Sequence, residues 1–302
     1  MGIMRRMITR QAIQQMALLL MLFGGCFACS PSSEAMPAIT LPSATFAPTL
    51  PVTPIPSTVP APTITPLACL TQPGRVEEGS LDSNKPPQEF RIYLPPCYDE
   101  KAGQRYPVLY LLHGQTYTDD QWVRLGAVDV ADNLILSGES VPFLIVFPDD
   151  RYWNLPPGPG FGQRLVEQLI PYIDSTYRTI PKRDQRAIGG MSRGAGWALR
   201  LGLTHWKLFT TIGLHSLAAS RKDVSELQEW LAEIPPPSRP RVFMDIGDND
   251  PEYELAQDVE TQFNDFGLSH EWHLYSGAHT EDYWRAHVEE YLRWYVEGWN
   301  EP

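Results

Sequence analysis

Ser192 lies in the run IGGMSRGAG (residues 188–196), boxed in by Gly189, Gly190, Gly194, Ala195 and Gly196. Glycine loses more backbone freedom on folding than alanine, so a cluster of them implies a backbone that needs them. Gly190-Met-Ser192-Arg-Gly194 has the form G-x-S-x-G, a strand-to-helix turn that pushes the serine hydroxyl outwards. A hydroxyl at its own pKa is a weak nucleophile; it needs a base in hydrogen-bonding reach and an acid to orient that base. The pentapeptide alone also fits a small-residue helix start with a capping serine, so the reading depends on whether later residues supply that pair. GDNDP (247–251) offers Asp248 and Asp250 as acids, and SGAHT (276–280) offers His279 as the base. Serine, acid, histidine is the chain order in which such a turn finds its partners.

The other six histidines fit the base less well. His270 and His273 flank or lie within a strand, His287 is on the last helix, and His205 precedes a Trp-Lys-Leu-Phe run into a strand. His215 follows the strand after the turn, near enough to border the site, and reads as a residue standing behind it; His113 reads as a structural loop histidine. Two backbone N–H groups are needed for a tetrahedral oxyanion. One is that of Arg193, next to the serine; the second is expected from the His113-Gly114-Gln115 loop, at Gln115.

Elements that could carry these loops recur along the chain. Strands are expected at 75–81, 89–94, 108–112, 143–147, 186–190, 209–214, 241–246 and 271–275. VLYLL and FLIVF are solid apolar runs, as strands covered on both faces require. Helical patterns such as FGQRLVEQLIPYIDSTY and ELAQDVETQFNDF lie between strands. This alternation predicts an α/β fold, a mostly parallel sheet flanked by helices, mixed because the first two strands are joined closely enough to be antiparallel. Loops at the carboxyl ends of such strands are where open sheets place their sites. Between 215 and 241 stands only VSELQEWLAEI and a PPPSRP connector, too little for a large cap domain. Cleft walls are then expected from Tyr117, Trp122, Tyr152, Trp153 and Trp284, aromatics suited to stacking on a sugar or phenolic acyl group.

YPVLYLLHG, IPYIDSTYRTI, RAIGGMSRGAGWALRLGL, GLHS, GDND and GAHTEDYWRAHVEEYLRW resemble the putative-esterase family of α/β-hydrolases across most of residues 75–298. That family includes feruloyl and acetylxylan esterases, enterochelin esterases, S-formylglutathione hydrolases and the antigen-85 mycolyltransferases. The resemblance implies Ser192, Asp250 and His279 as the triad. It places the acid at the end of Gly-x-x-Asp, which favours Asp250 over Asp248. It implies no metal or cofactor.

The first 29 residues read as an export signal. Arg5, Arg6 and Arg10 precede an apolar run at 16–23, and that run is well short of the roughly 20 residues a bilayer span needs. Small residues before Cys26 and Cys29 resemble a lipoprotein signal, which makes either cysteine a candidate for lipidation. Residues 30–68 carry ten prolines among Thr, Ser and Ala, with no Lys or Arg. Such a segment builds no ladder and buries no core, so an extended stalk of about 100 Å at full reach is expected. Cys69 and Cys97 flank the first strand pair, and in an exported chain they are expected to form a disulfide. One domain then spans 69–302.

The net charge of −12 gives no support for nucleic-acid binding. The expected partners are a small or glycan-linked ester and, through a lipid anchor alone, a membrane. The expected function is an exported serine carboxylesterase for short-chain or aromatic acyl esters. Acyl transfer to a sugar hydroxyl, or a non-catalytic surface binding module on the same fold, remain as alternatives.

Overall fold

Runs such as VLYLL can only be strands if both faces are covered, and this is how the chain folds. The computed structural model describes residues 68–82, 85–151 and 160–300. The leader, the stalk, Cys26, Cys29, Tyr152 and Trp153 lie outside them. Among the described residues eight strands are formed, β1 Arg75–Leu81, β2 Gln88–Leu94, β3 Val108–Leu112, β4 Leu144–Pro148, β5 Arg186–Met191, β6 Thr211–His215, β7 Arg241–Gly247 and β8 His270–Tyr275. Each lies within two residues of its expected place. They make one sheet in the order β1-β2-β4-β3-β5-β6-β7-β8. β2 pairs antiparallel with both β1 and β4, and every pairing from β4 to β8 is parallel.

The helices are α1 Gln121–Arg124, α2 Ala127–Leu136, α3 Phe161–Arg164, α4 Ile170–Thr176, α5 Arg193–Thr204, α6 Arg221–Glu233, α7 Tyr253–Phe266 and α8 Glu281–Asn300. α3 and α4 are the ends of the single helix expected from FGQRLVEQLIPYIDSTY, joined by a π-helical turn at Leu165–Leu169. Pro171 accounts for the change, because it lacks the N–H that an unbroken α-ladder requires there.

Alternation along the strands divides the interior in two. Val108, Tyr110 and Leu112 of β3, with Leu144 and Val146 of β4, face α3 to α7. Leu109, Leu111, Ile145 and Phe147 face α2 and α8. Both β3 and β4 are buried along their whole length. β1 is an edge strand with Arg75, Glu77 and Glu78 on it, charges that discourage pairing with another chain. Cys69 and Cys97 form a disulfide, with their Cα atoms 5.0 Å apart. Between β6 and β7 stand only α6 and a short turn at Pro236–Ser238, so no cap domain is inserted there.

Candidate active site

The turn between β5 and α5 is built as the glycines demand. Ser192 has φ 54° and ψ −124°, a conformation that an L-residue occupies only when its surroundings impose it. Those surroundings are backbone. A Cβ on Gly190 would lie 2.6 Å from the Gly194 carbonyl oxygen, and one on Gly194 would lie 2.7 Å from that of His113. The Ser192 N–H donates to the His215 carbonyl at 2.8 Å, tying the turn to the end of β6. α5 begins at Arg193, so the positive end of its dipole and its first N–H groups lie beside the serine.

His279, from the loop between β8 and α8, places Nε2 2.7 Å from Ser192 Oγ. Its Nδ1 lies 2.8 and 3.0 Å from the two carboxylate oxygens of Asp250, at the end of β7. Asp250 is almost fully buried and also accepts from the Glu252 N–H at 2.9 Å. Burial pushes its carboxyl up, but hydrogen bonds from His279, the Glu252 N–H and Ser216 outweigh that and leave it below its ordinary value of 3.8. Asp248 points elsewhere: it accepts from the Gly277 N–H at 2.9 Å and bears on the shape of the histidine loop instead. The structure therefore brings Ser192, His279 and Asp250 into one hydrogen-bonded line.

A cleft of about 680 Å³ opens over this line. Gln115 and Thr116 line it from the loop after β3, and Arg193, Trp197 and Arg200 line it from α5. Ala218, Ala219, Ser220 and Asp223, from the segment between β6 and α6 and the start of α6, also line it, as does Glu252. Three of the expected aromatic walls, Tyr117, Trp122 and Trp284, need correcting. Trp122 is 1% exposed and donates its indole N–H to the Leu112 carbonyl at 2.9 Å. Trp284 is also in the core, donating to Ser216 Oγ at 3.0 Å, with its ring edge-on to His279. Tyr117 is exposed under the Arg124 guanidinium and is not a lining residue. Among the described residues, the indole that lines the cleft is that of Trp197, which was not among those expected. It sits at i+4 from Arg193, with Arg200 at i+7, and that helical spacing was its signal.

His215 is fully buried and is not among the residues that line the cleft, in keeping with a place behind the site. Its Nδ1 lies 2.7 Å from Asp245 Oδ1, and Tyr295 donates to its Nε2 at 2.9 Å. Tyr283 and Tyr291 both donate to Asp245 Oδ2 at 2.7 Å. Burial and the adjacent Asp245 carboxylate push both phenols far above their ordinary value, so they stay protonated as donors.

The sequence matches the Putative esterase family over residues 83–295. An esterase of Mycobacterium tuberculosis is 33% identical over 148 residues, 46% of this chain and 31% of that protein. An endo-1,4-beta-xylanase/feruloyl esterase of Xylanibacter ruminicola is 31% identical over 140 residues, 43% of this chain and 19% of that protein. The aligned stretches thus amount to less than a third of the length of these curated relatives. A solved ferulic acid esterase superposes with a TM-score of 0.67 at 25% identity, covering 75% of this chain and all of that one. With the α/β-hydrolase sheet, the serine turn and a family match over most of its length, the chain belongs to the Putative esterase family.

Proposed function

We propose that this chain is a serine carboxylesterase in which Ser192 is the nucleophile, His279 the base and Asp250 the orienting acid. One observation carries the reading: the unbroken line from Asp250 through His279 to Ser192 Oγ at the floor of an open cleft. With Asp250 accepting from Nδ1–H, Nε2 presents its lone pair to the hydroxyl. His279 takes the Ser192 proton as Oγ attacks the ester carbonyl carbon. The resulting oxyanion is bound by the N–H groups of Gln115 and Arg193. The imidazolium then protonates the departing alkoxide, and water, deprotonated by the same imidazole, releases the acid and restores Ser192.

The substrate class is short-chain or aromatic acyl esters on sugars or glycans. The cleft is walled largely by polar and charged side chains, with Trp197 for stacking, and among the described residues no inserted cap roofs it. A relative named as a feruloyl esterase supports the same class. The chain is exported, with the leader at 1–29 and the stalk at 30–68 holding the domain away from a surface. Cys26 or Cys29 is the point of lipid attachment. The Cys69–Cys97 disulfide suits an oxidising compartment.

The test is Ser192→Ala together with a fluorophosphonate probe. Wild type should hydrolyse aryl acetate and feruloyl-sugar esters and be labelled at Ser192. The variant should do neither, with an unchanged thermal midpoint. Near-wild-type turnover in the variant refutes the assignment. Ester formed on an added sugar acceptor in place of free acid would make the enzyme an acyltransferase with the same residues.

A further inference from the structure

We propose that Asp150 and His113 form a positioning unit that aims both oxyanion donors at once; this rests on the assignment of Gln115 and Arg193 as those donors. Neither side chain lines the cleft, and neither has a place in proton transfer. Both are buried at the carboxyl ends of adjacent strands, His113 just after β3 and Asp150 just after β4.

A trans peptide is planar, with its C=O and N–H pointing in opposite directions, so whatever holds the carbonyl aims the N–H. The Gln115 N–H shares its peptide with the Gly114 carbonyl. That carbonyl is held by His113 Nδ1 at 2.7 Å and by the Tyr117 N–H at 3.3 Å. His113 can donate from Nδ1 only in one tautomer. The Asp150 backbone N–H selects it by donating to Nε2 at 2.8 Å, which requires a lone pair there. Asp149 Oδ1 lies 3.5 Å from the same nitrogen and takes its own hydrogen bond from the Arg151 N–H at 2.8 Å.

The second donor is governed from the same residue. The Arg193 N–H shares its peptide with the Ser192 carbonyl, which accepts from Gly196 at 3.1 Å and from Ala218 at 3.2 Å. The first turn of α5 that carries this peptide is fastened to Asp150. Oδ2 accepts from Arg193 Nε at 3.1 Å, from Arg193 Nη2, and from Trp197 Nε1 at 2.9 Å. Asp150 thus uses its N–H to aim one donor and its carboxylate to hold the helix turn of the other. Ion pairing alone would not need the backbone contact, and loop packing alone would not need the carboxylate.

The experiment compares an aryl acetate with its thionoacetate analogue in the full chain. Sulfur accepts hydrogen bonds weakly, so the ratio of the two kcat/KM values reports the oxyanion donors, whereas a general loss of folded enzyme lowers both alike. Removing one donor outright costs about 100- to 1,000-fold, so misaiming through Asp150→Asn should lower kcat on the oxo ester about 10- to 100-fold. KM and the acid limb of the pH profile should hold, the thiono rate should change little, and the ratio should fall in step. His113→Leu should act alike, and His113→Asn, whose amide N–H can still reach the Gly114 carbonyl, should recover most of the ratio. An unchanged ratio in Asp150→Asn, or equal loss on both esters, overturns the proposal even if His113→Leu does not fold. Turnover surviving in Ser192→Ala would instead remove the assignment beneath it.

Discussion

Replacing Asp250 by asparagine changes one atom, and the structure says which way the amide must turn. Oδ1 accepts from the Glu252 N–H at 2.9 Å, while Oδ2 is the oxygen 2.8 Å from His279 Nδ1. A buried N–H left without an acceptor costs about 1–3 kcal/mol. The amide oxygen therefore stays on Glu252, and the NH₂ group takes the position facing His279. The NH₂ group then has the shorter contact, 2.8 Å against 3.0 Å for the oxygen, which favours Nδ1 as acceptor and moves the imidazole proton to Nε2, 2.7 Å from Ser192 Oγ. In that tautomer His279 has no lone pair for the serine proton. The same substitution in a Ser-His-Asp protease lowers kcat by about 10⁴, equivalent to about 5.4 kcal/mol of barrier. Asp250→Asn should show a loss of that order in kcat on an aryl acetate, with KM and thermal midpoint little changed. Asp248→Asn keeps an oxygen for the Gly277 N–H and should lose less than about tenfold, far below the full triad effect. Greater loss in Asp248→Asn than in Asp250→Asn would refute the reasoning.

Asp250 and Asp150 should give opposite pH slopes. The Asp250 carboxyl is held below its ordinary value, so its contribution to stability is complete above about pH 4 and is lost as pH falls through the folded pKa. Burial pushes Asp150 up despite Arg193, so its contribution is complete below about pH 4 and is lost as pH rises through the folded pKa. As pH rises, wild type should gain stability relative to Asp250→Asn up to about pH 4 and lose it relative to Asp150→Asn above about pH 4 in thermal melts; slopes of the same sign would contradict this. Gly194→Ala puts a Cβ 2.7 Å from the His113 carbonyl oxygen, so it should abolish turnover and cost about 2–4 kcal/mol in chemical denaturation. Retained turnover there would mean that the turn is not under backbone constraint. Tyr295→Phe strands the buried Nε2 of His215 and should cost about 1–3 kcal/mol while kcat changes by a few fold at most.

The sheet was legible because parallel strands buried on both faces must be solid apolar runs, and helices between them must show the longer period. The serine turn was legible because its glycines answer a steric demand that only a close backbone crossing makes. Strand order was not legible: nothing in IYL or FLIVF says that β4 lies between β2 and β3. The acid was narrowed to one loop, but Asp248 and Asp250 differ in direction, not type, and the family pattern favoured the one that the geometry places on His279. Trp122 and Trp284 failed as cleft walls for a physical reason. An aromatic near a site loop satisfies burial and hydrogen bonding as readily by turning inwards, as the indoles of Trp122 and Trp284 do.

That inward turn is also why the geometry of the Ser192–His279–Asp250 line belongs to the core and not only to the loops. Asp245 and His215 are polar side chains on the sheet face that meets α8, a costly placement unless every donor and acceptor is matched. Three α8 tyrosines and the imidazole supply the match, which sets both the rotation and the height of α8 on the sheet. α8 begins two residues after His279, and its Trp284 reaches both the His279 ring and Ser216. At the other side of the network, the His215 carbonyl takes the Ser192 N–H, and the Asp245 carbonyl takes that of Ser216. Ser192 and His279 thus hang from opposite ends of one buried polar cluster. An apolar core could slide by a fraction of an ångström at little cost. A matched set of hydrogen bonds cannot, and a 2.7 Å contact between Nε2 and Oγ needs that stiffness.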